Sequence, residues 1–224
     1  MSWWKGLRRN GPESSLAAPN RSLRLALPGW HENDTDGDSR IWRDIDGDVL
    51  TLTVAAEKLN IPHASSEMEL KRWGRSLAQS RSAGLIEARK VACSLGPTAF
   101  VIYKRLQMPA YFYTGMLLVS LERFSLVWTI VAREHGTTGV REAIVTATLM
   151  EQGRLTLEEY RRSWAQDPYE PAYAGVDRRV LRFVSDDEVY DEQFPAHPLT
   201  KVRHVLAILP GSIRRDCGRS ETSA

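Results

Sequence analysis

Residues 190–206 read YDEQFPAHPLTKVRHVL and set Asp191, Glu192, His197, His204, Lys201 and Arg203 within seventeen positions. These side chains suit acid–base work. An imidazole exchanges a proton near neutral pH, a carboxylate orients it, and a guanidinium holds an anion. Helix building accounts for much of the same stretch. Pro198 fits a first helical position with His197 at the cap, and Leu199, Val202, Leu206 and Leu209 form an apolar stripe. Arg203 and His204 fall off that stripe or on its border. Asp191, His197 and Arg203 are left without a structural task. His197 and His204 stand seven apart and could share a helix face, with Asp191 as a third group, but no spacing rule makes these a metal site.

Other stretches carry chemistry-bearing types. NDTDGD and DIDGD resemble calcium loops, yet with Gly37 or Gly47 as the sixth position the twelfth is Arg43 or Thr53, not glutamate, so both are turns. GTTG, residues 136–139, lacks the lysine of a phosphate loop. Small residues ahead of a helix can still expose N–H groups to an anion, giving an alternative in which GTTGVRE and Arg141 bind one. The plainer reading has Thr138 cap the helix and Glu142 stabilise its start. WAQDPYEPAY places Trp164, Asp167, Tyr169, Glu170 and Tyr173 together, which suits recognition in a loop; Trp164 is equally a last core residue of its helix. The five histidines form no HExxH, and no Gly-x-Ser-x-Gly is present. Cys93 sits in a strand pattern without a cue to a base. No metal or cofactor is expected.

The elements that must position these groups follow from periodicity. Leu23, Leu25 and Leu27 alternate in a strand ended by Pro28-Gly29. HENDTDGDSR reads as a polar turn, RIWRD as a strand, IDGD as a hairpin turn, and VLTLTVAA as a strand with Leu50, Leu52 and Val54 on one face. A helix follows, capped by Ser65 or Ser66, with Met68 or Leu70, Trp73 and Leu77 inward and Gly74 as an irregularity. Four runs between 85 and 134 form an antiparallel meander. Its last run, with Phe124, Leu126, Trp128 and Ile130 opposite Val127 and Val131, is a central strand covered on both sides. A helix over 140–152 would line up Val140, Ile144, Ala147 and Leu149 or Met150. Thr156 and Glu159 form a capping box for a helix running to Asp167-Pro168. RRVLRFV is a further strand, SDDEVYDEQF a helical turn, and the last helix runs from Pro198 to Leu209.

The chain has 224 residues, 30 basic against 28 acidic, for a net charge of +2, which gives no electrostatic case for nucleic acid. Glu122 and Arg123 break the most apolar stretch, so no segment has the ~20 apolar residues of a membrane span. The N-terminus lacks the apolar run of a secretory signal. Two cysteines, Cys93 and Cys217, are too few for a disulfide framework, which favours a reducing, cytoplasmic setting.

Strand, hairpin, helix, antiparallel meander and helix, opened by a strand ending in LPGW at Leu27–Trp30, resemble the α/β/α sandwich superfamily of PsbP-like extrinsic photosystem proteins and Ran-binding proteins. The resemblance covers about residues 22–152. It implies a binding or assembly role without a catalytic centre and transfers no functional residue. The expectation is an α+β fold with an antiparallel sheet of five to seven strands. It comprises a tail over 1–20, a single domain over 21–213 with core 22–152 and an added C-terminal helical layer over 153–213, and a tail over 214–224. The expected function is a non-enzymatic adaptor recognising a protein partner, anchored by residues 160–182, with Arg141, Trp164, Asp167, Tyr169 and Tyr173 as contacts. The alternative is a hydrolase- or transferase-type enzyme, or a small-ligand binder, whose pocket gathers Glu134, Arg141, Asp167, Asp191, His197 and Arg203. Convergence of those six in one concavity would favour it, and scatter would remove it.

Overall fold

The computed structural model describes residues 23–36, 39–62 and 67–215. The tail over 1–20, His63, the Ser65/Ser66 cap, Gly37 and Cys217 lie outside them. The fold is α+β. Seven strands form one antiparallel sheet in the order β2-β3-β4-β8-β7-β6-β5, namely β2 (His31–Asp36), β3 (Ser39–Arg43), β4 (Val49–Ala55), β5 (Gly84–Lys90), β6 (Thr98–Gln107), β7 (Ala110–Ser120) and β8 (Ser125–Arg133). The central position of β8 explains its two apolar faces: Trp128 and Ile130 bury on one, Val127 on the other.

One sheet face is covered by α1 (Glu67–Gln79) and the other by α4 (Pro198–Ser212). The α4 stripe of Leu199, Val202, Leu206 and Leu209 joins Leu50, Leu52, Leu117, Trp128 and Ile130 in the largest core cluster. The expected added layer is therefore one wall of the main core. A short strand β1 (Leu23–Leu25) pairs with β11 (Ile213–Arg215) beside it, so Arg214 and Arg215 are strand residues and not the start of a tail. On the opposite face α1 buries Leu70, Gly74 and Ala78, while Met68 is exposed. Gly74 is a packing requirement: a Cβ there would meet Ala88 Cβ at 2.8 Å.

Four other expectations change. HENDTDGDSR supplies β2, an edge strand paired with β3. An edge needs no apolar face, and Arg40 clamps Glu32 from β3 at 2.7 and 2.5 Å. Helix α2 (Val140–Glu151) buries Arg141, Val145 and Leu149 and leaves Val140, Ile144 and Ala147 exposed, because Arg141 finds its acceptors inside. Helix α3 (Leu157–Ser163) has the Thr156–Glu159 capping box but ends at Ser163, before the two-residue strand β9 (Ala165–Gln166), which pairs with β10 (Arg182–Phe183). Cys93 lies in a loop after β5.

The segment after α3 reaches the sheet edge at Gly84, where an added Cβ would fall 1.8 Å from Val180 O. That neighbour is backbone and cannot turn aside. Gly84→Ala is expected to destabilise by about 1–3 kcal/mol, read as a lower urea midpoint at unchanged slope.

Candidate functional site

The site lies where three same-face rows of the sheet run out beyond the N-terminus of α4. Along β8 the row Trp128, Ile130, Ala132 continues to Glu134. On β7 it passes from Leu117 through Gly115 to Tyr113, and on β6 from Phe100 and Ile102 to Lys104. Lys104 pairs across with Tyr113, and Tyr113 with Ala132, so apolar core gives way to polar groups at one level. Gly115 lets α4 approach there, since a Cβ would lie 2.6 Å from Val202 Cγ1.

A buried ionic web closes the floor. Lys104 Nζ, fully buried, donates to Asp186 Oδ2 at 2.6 Å and lies 3.1 Å from the Phe183 ring centroid. Arg141 donates from Nε to Ser185 O (2.6 Å), from Nη1 to Thr200 Oγ1 (3.0 Å) and from Nη2 to Asp187 O (2.8 Å), with Asp191 Oδ1 at 2.9 Å from Nη2. Arg203 donates to Asp191 from Nη1 (3.0 Å), to Asp186 O (2.7 Å) and to Glu87 Oε2 (3.3 Å). Asp191 and Arg203 thus have a structural task that spacing could not show: with Arg141 they bind α2, the 184–193 turns, α4 and β5 together.

Above the floor opens a cleft of about 680 Å³, lined by Glu134, His135, Val140 and Arg141 on one side and by Gln193–Pro198 and Lys201 on the other. Behind it lies a chamber of about 10 Å³ bounded by Tyr111, Tyr113, Glu142, Phe183 and Asp186, sharing Glu134, Arg141 and His197 with the cleft. Lys201 pairs with Asp46 and Asp48 and joins the mouth to the β3–β4 turn. Among the described residues no group of three or more His, Cys, Asp and Glu is placed to hold a metal ion.

His197 caps α4: its Nδ1 accepts the Leu199 N–H at 3.2 Å. That bond needs the Nδ1 lone pair and puts the ring proton on Nε2. Nε2 faces Glu134 Oε1 at 3.5 Å, and the ring meets Tyr113 edge-on at 5.2 Å. Glu134 Oε1 also accepts the Gly139 N–H at 3.3 Å, so a carboxylate already occupies the start of α2 where GTTGVRE was to hold an anion. Gly139 is the cap residue, in the left-handed region, and Thr138 instead donates to Pro109 O.

Five of the six pooled residues converge: Glu134, Arg141 and His197 line the cleft, with Asp191 and Arg203 directly behind. Asp167 does not. It is buried elsewhere, gripping Arg75 at 2.9 and 2.7 Å. The other expected contacts are used within the chain. Trp164 is buried and donates from Nε1 to Glu142 Oε1 at 2.9 Å. The Tyr169 hydroxyl bonds the Ala88 backbone, and Tyr173 lies under Arg75. Within residues 160–182 Trp164, Asp167, Tyr169 and Tyr173 are thus used inside the chain, while Arg161, Arg162, Glu170, Pro171, Arg178 and Arg179 stay exposed. Sequence reading passed over Lys104 and Asp186; a lysine continuing the alternating row of Phe100 and Ile102 was the available signal.

Burial raises the Glu142 carboxyl above its ordinary 4.5, against the opposing donation from Trp164. A group whose folded pKa exceeds its unfolded one contributes stability in full below 4.5 and loses it as pH rises through the raised value. Glu142→Gln, which keeps an acceptor for Trp164, should melt above the parent at pH 7. Thermal melts across pH should show that gap closing in acid, below the ordinary value.

No family model matches the chain, and no curated protein does. Solved structures resemble it in outline. The Ran-binding protein Mog1p of Saccharomyces cerevisiae gives a TM-score of 0.41 at 9% identity over 87% of this chain and 90% of that one. A Mog1 point mutant gives 0.36 at 8% identity, covering 60% and 80% of the two chains. A Bacteroides thetaiotaomicron protein gives 0.32 at 12% identity, covering 53% and 41%. Likeness this low says nothing of what the present chain binds. Among the described residues no helix is long and apolar enough to cross a membrane.

Proposed function

We propose that this chain is a non-enzymatic binding protein whose cleft receives an extended segment of a partner protein. The observation that carries this reading is the His197 cap. A general base needs a free lone pair within reach of substrate, and that of His197 is bonded to Leu199 N–H. The guanidinium that would hold a substrate anion, Arg141, is bonded to Ser185, Thr200 and Asp187 and paired with Asp191. What faces the open space is a binding surface: Val140, Phe194 and Pro195 for apolar contact, with Arg133, His135, Gln193 and Lys201 at the rim. This replaces residues 160–182 as the contact region and keeps the expectation of a protein partner.

Ala196 lines the cleft and is exposed, so Ala196→Trp fills the space without touching the ionic web. Peptides selected from a displayed random library on the parent chain should lose binding to Ala196→Trp while its melting temperature stays close to the parent's. Selection that yields no binder, or binders indifferent to Ala196→Trp, would contradict the reading.

A further inference from the structure

The charges around the chamber do not balance. Lys104 answers Asp186, and Arg141 and Arg203 answer Asp191, with Arg203 reaching Glu87 as well. Two carboxylates bordering the chamber, Glu134 and Glu142, form no ion pair with a lysine or arginine among the described residues. Glu142 at least takes donations from Trp164 and Tyr160. Glu134 is left incomplete. Its side chain is 7% exposed, Oε1 is engaged by Gly139 N–H and faces His197, and Oε2 is buried without any partner. Of the four buried side-chain polar atoms without partners among the described residues, the others being Trp128 Nε1, Tyr173 Oη and Arg182 Nε, this alone belongs to a residue lining both cleft and chamber. A buried carboxylate oxygen with nothing to accept from is costly and asks for a donor.

We propose that the chamber receives one alkylammonium group, so that the segment taken by the cleft presents a lysine whose head bonds Glu134 Oε2. This rests on the cleft being a peptide-binding site and names the side chain it selects. Size favours ammonium over guanidinium, because the chamber of about 10 Å³ has room for one water-sized group. Charge favours a cation over water, since Glu134, Glu142 and Asp186 border the space, and Arg141, which also lines it, is paired with Asp191 behind. The rings of Tyr111, Tyr113 and Phe183 line the same space and suit a desolvated cation, as the Lys104 ammonium over Phe183 and Tyr111 already shows. The alkyl stem would lie along Phe194, Pro195 and Val140 in the outer cleft.

The test uses the full ¹⁵N-labelled chain and two capped amino acids, Nα-acetyl-lysine N-methylamide and its norleucine counterpart. The lysine probe is expected to give saturable millimolar binding with amide shifts at Gly139, Arg141, His197 and Leu199, and the norleucine probe to bind at least about tenfold more weakly. Glu134→Gln should remove that difference. Should this variant fail to fold, the contrast between the two probes on the parent chain decides. Equal binding of both probes, or a lysine probe that does not saturate at these residues, overturns the ammonium site and leaves the chamber to a water. The two readings fail separately. Library-selected peptides that depend on Ala196 but carry no lysine sink the ammonium site alone, whereas the absence of any selected peptide sinks the cleft.

Discussion

Lys104→Met is expected to lower the free energy of unfolding by about 3–5 kcal/mol, the cost of stranding one half of a buried ion pair. Lys104 has no exposed surface, and Asp186 has 1%. Asp186 Oδ2 takes the Lys104 ammonium at 2.6 Å and the Phe183 N–H at 2.8 Å. Burial alone would raise the Asp186 carboxyl, but the ammonium and that N–H outweigh it and hold the group below 3.8. With its folded pKa depressed, Asp186 contributes stability present above 3.8 and lost as pH falls through the lowered value. Without Lys104 burial prevails, the carboxyl is driven to its neutral form, and the deficit of the variant shrinks in acid. Lys104→Met with Asp186→Asn removes both charges and should recover much of the loss. Urea titrations of the parent, the two single variants and the double variant measure this directly. A single-variant cost under about 1 kcal/mol would mean that the pair is solvated.

Arg141→Met is expected to cost about 3 kcal/mol and to loosen one particular region. Four acceptors each lose a donor together: Ser185 O, Asp187 O, Thr200 Oγ1 and Asp191 Oδ1. The first two are backbone carbonyls of the turns between β10 and α4, with few other partners. Hydrogen exchange should therefore rise first over residues 184–197 and the start of α2, while amides of β6, β7 and β8 keep their protection. Because Arg203 shares Asp191, the losses from Arg141→Met and Arg203→Met should not add. Additive losses, or exchange spread evenly over the sheet, would show that the web is not a unit.

The sheet was legible in the sequence because burial imposes period two. Leu50, Leu52 and Val54, and Leu126, Trp128 and Ile130, face the same core as their alternation requires. The helix start at His197-Pro198 was readable for a local reason, a proline at the first helical position with a capping side chain before it. β2 was not, since an edge strand of HENDTD meets water on its free side and needs no apolar pattern. Nor was the face of α2. Apolar periodicity favoured Val140 and Ile144, whereas four acceptors from distant parts of the chain draw Arg141 inward. Five candidate residues converge, yet the reasons are tertiary. Asp191 and Arg203 meet Arg141 and Glu87 from sequence separations that no spacing rule spans. The loop aromatics read as anchors because Trp and Tyr look available until the partners of the Trp164 indole and the Tyr169 hydroxyl are seen.

Whether the site binds without catalysing turns on one lone pair. Ring ¹⁵N shifts of His197, assigned in the folded chain near neutral pH, report which nitrogen carries the proton. The account predicts a protonated Nε2 facing Glu134 and an unprotonated, hydrogen-bonded Nδ1 coupled to the Leu199 amide. A protonated Nδ1 with its Nε2 lone pair open to the cleft would contradict it and return His197 to the role of general base.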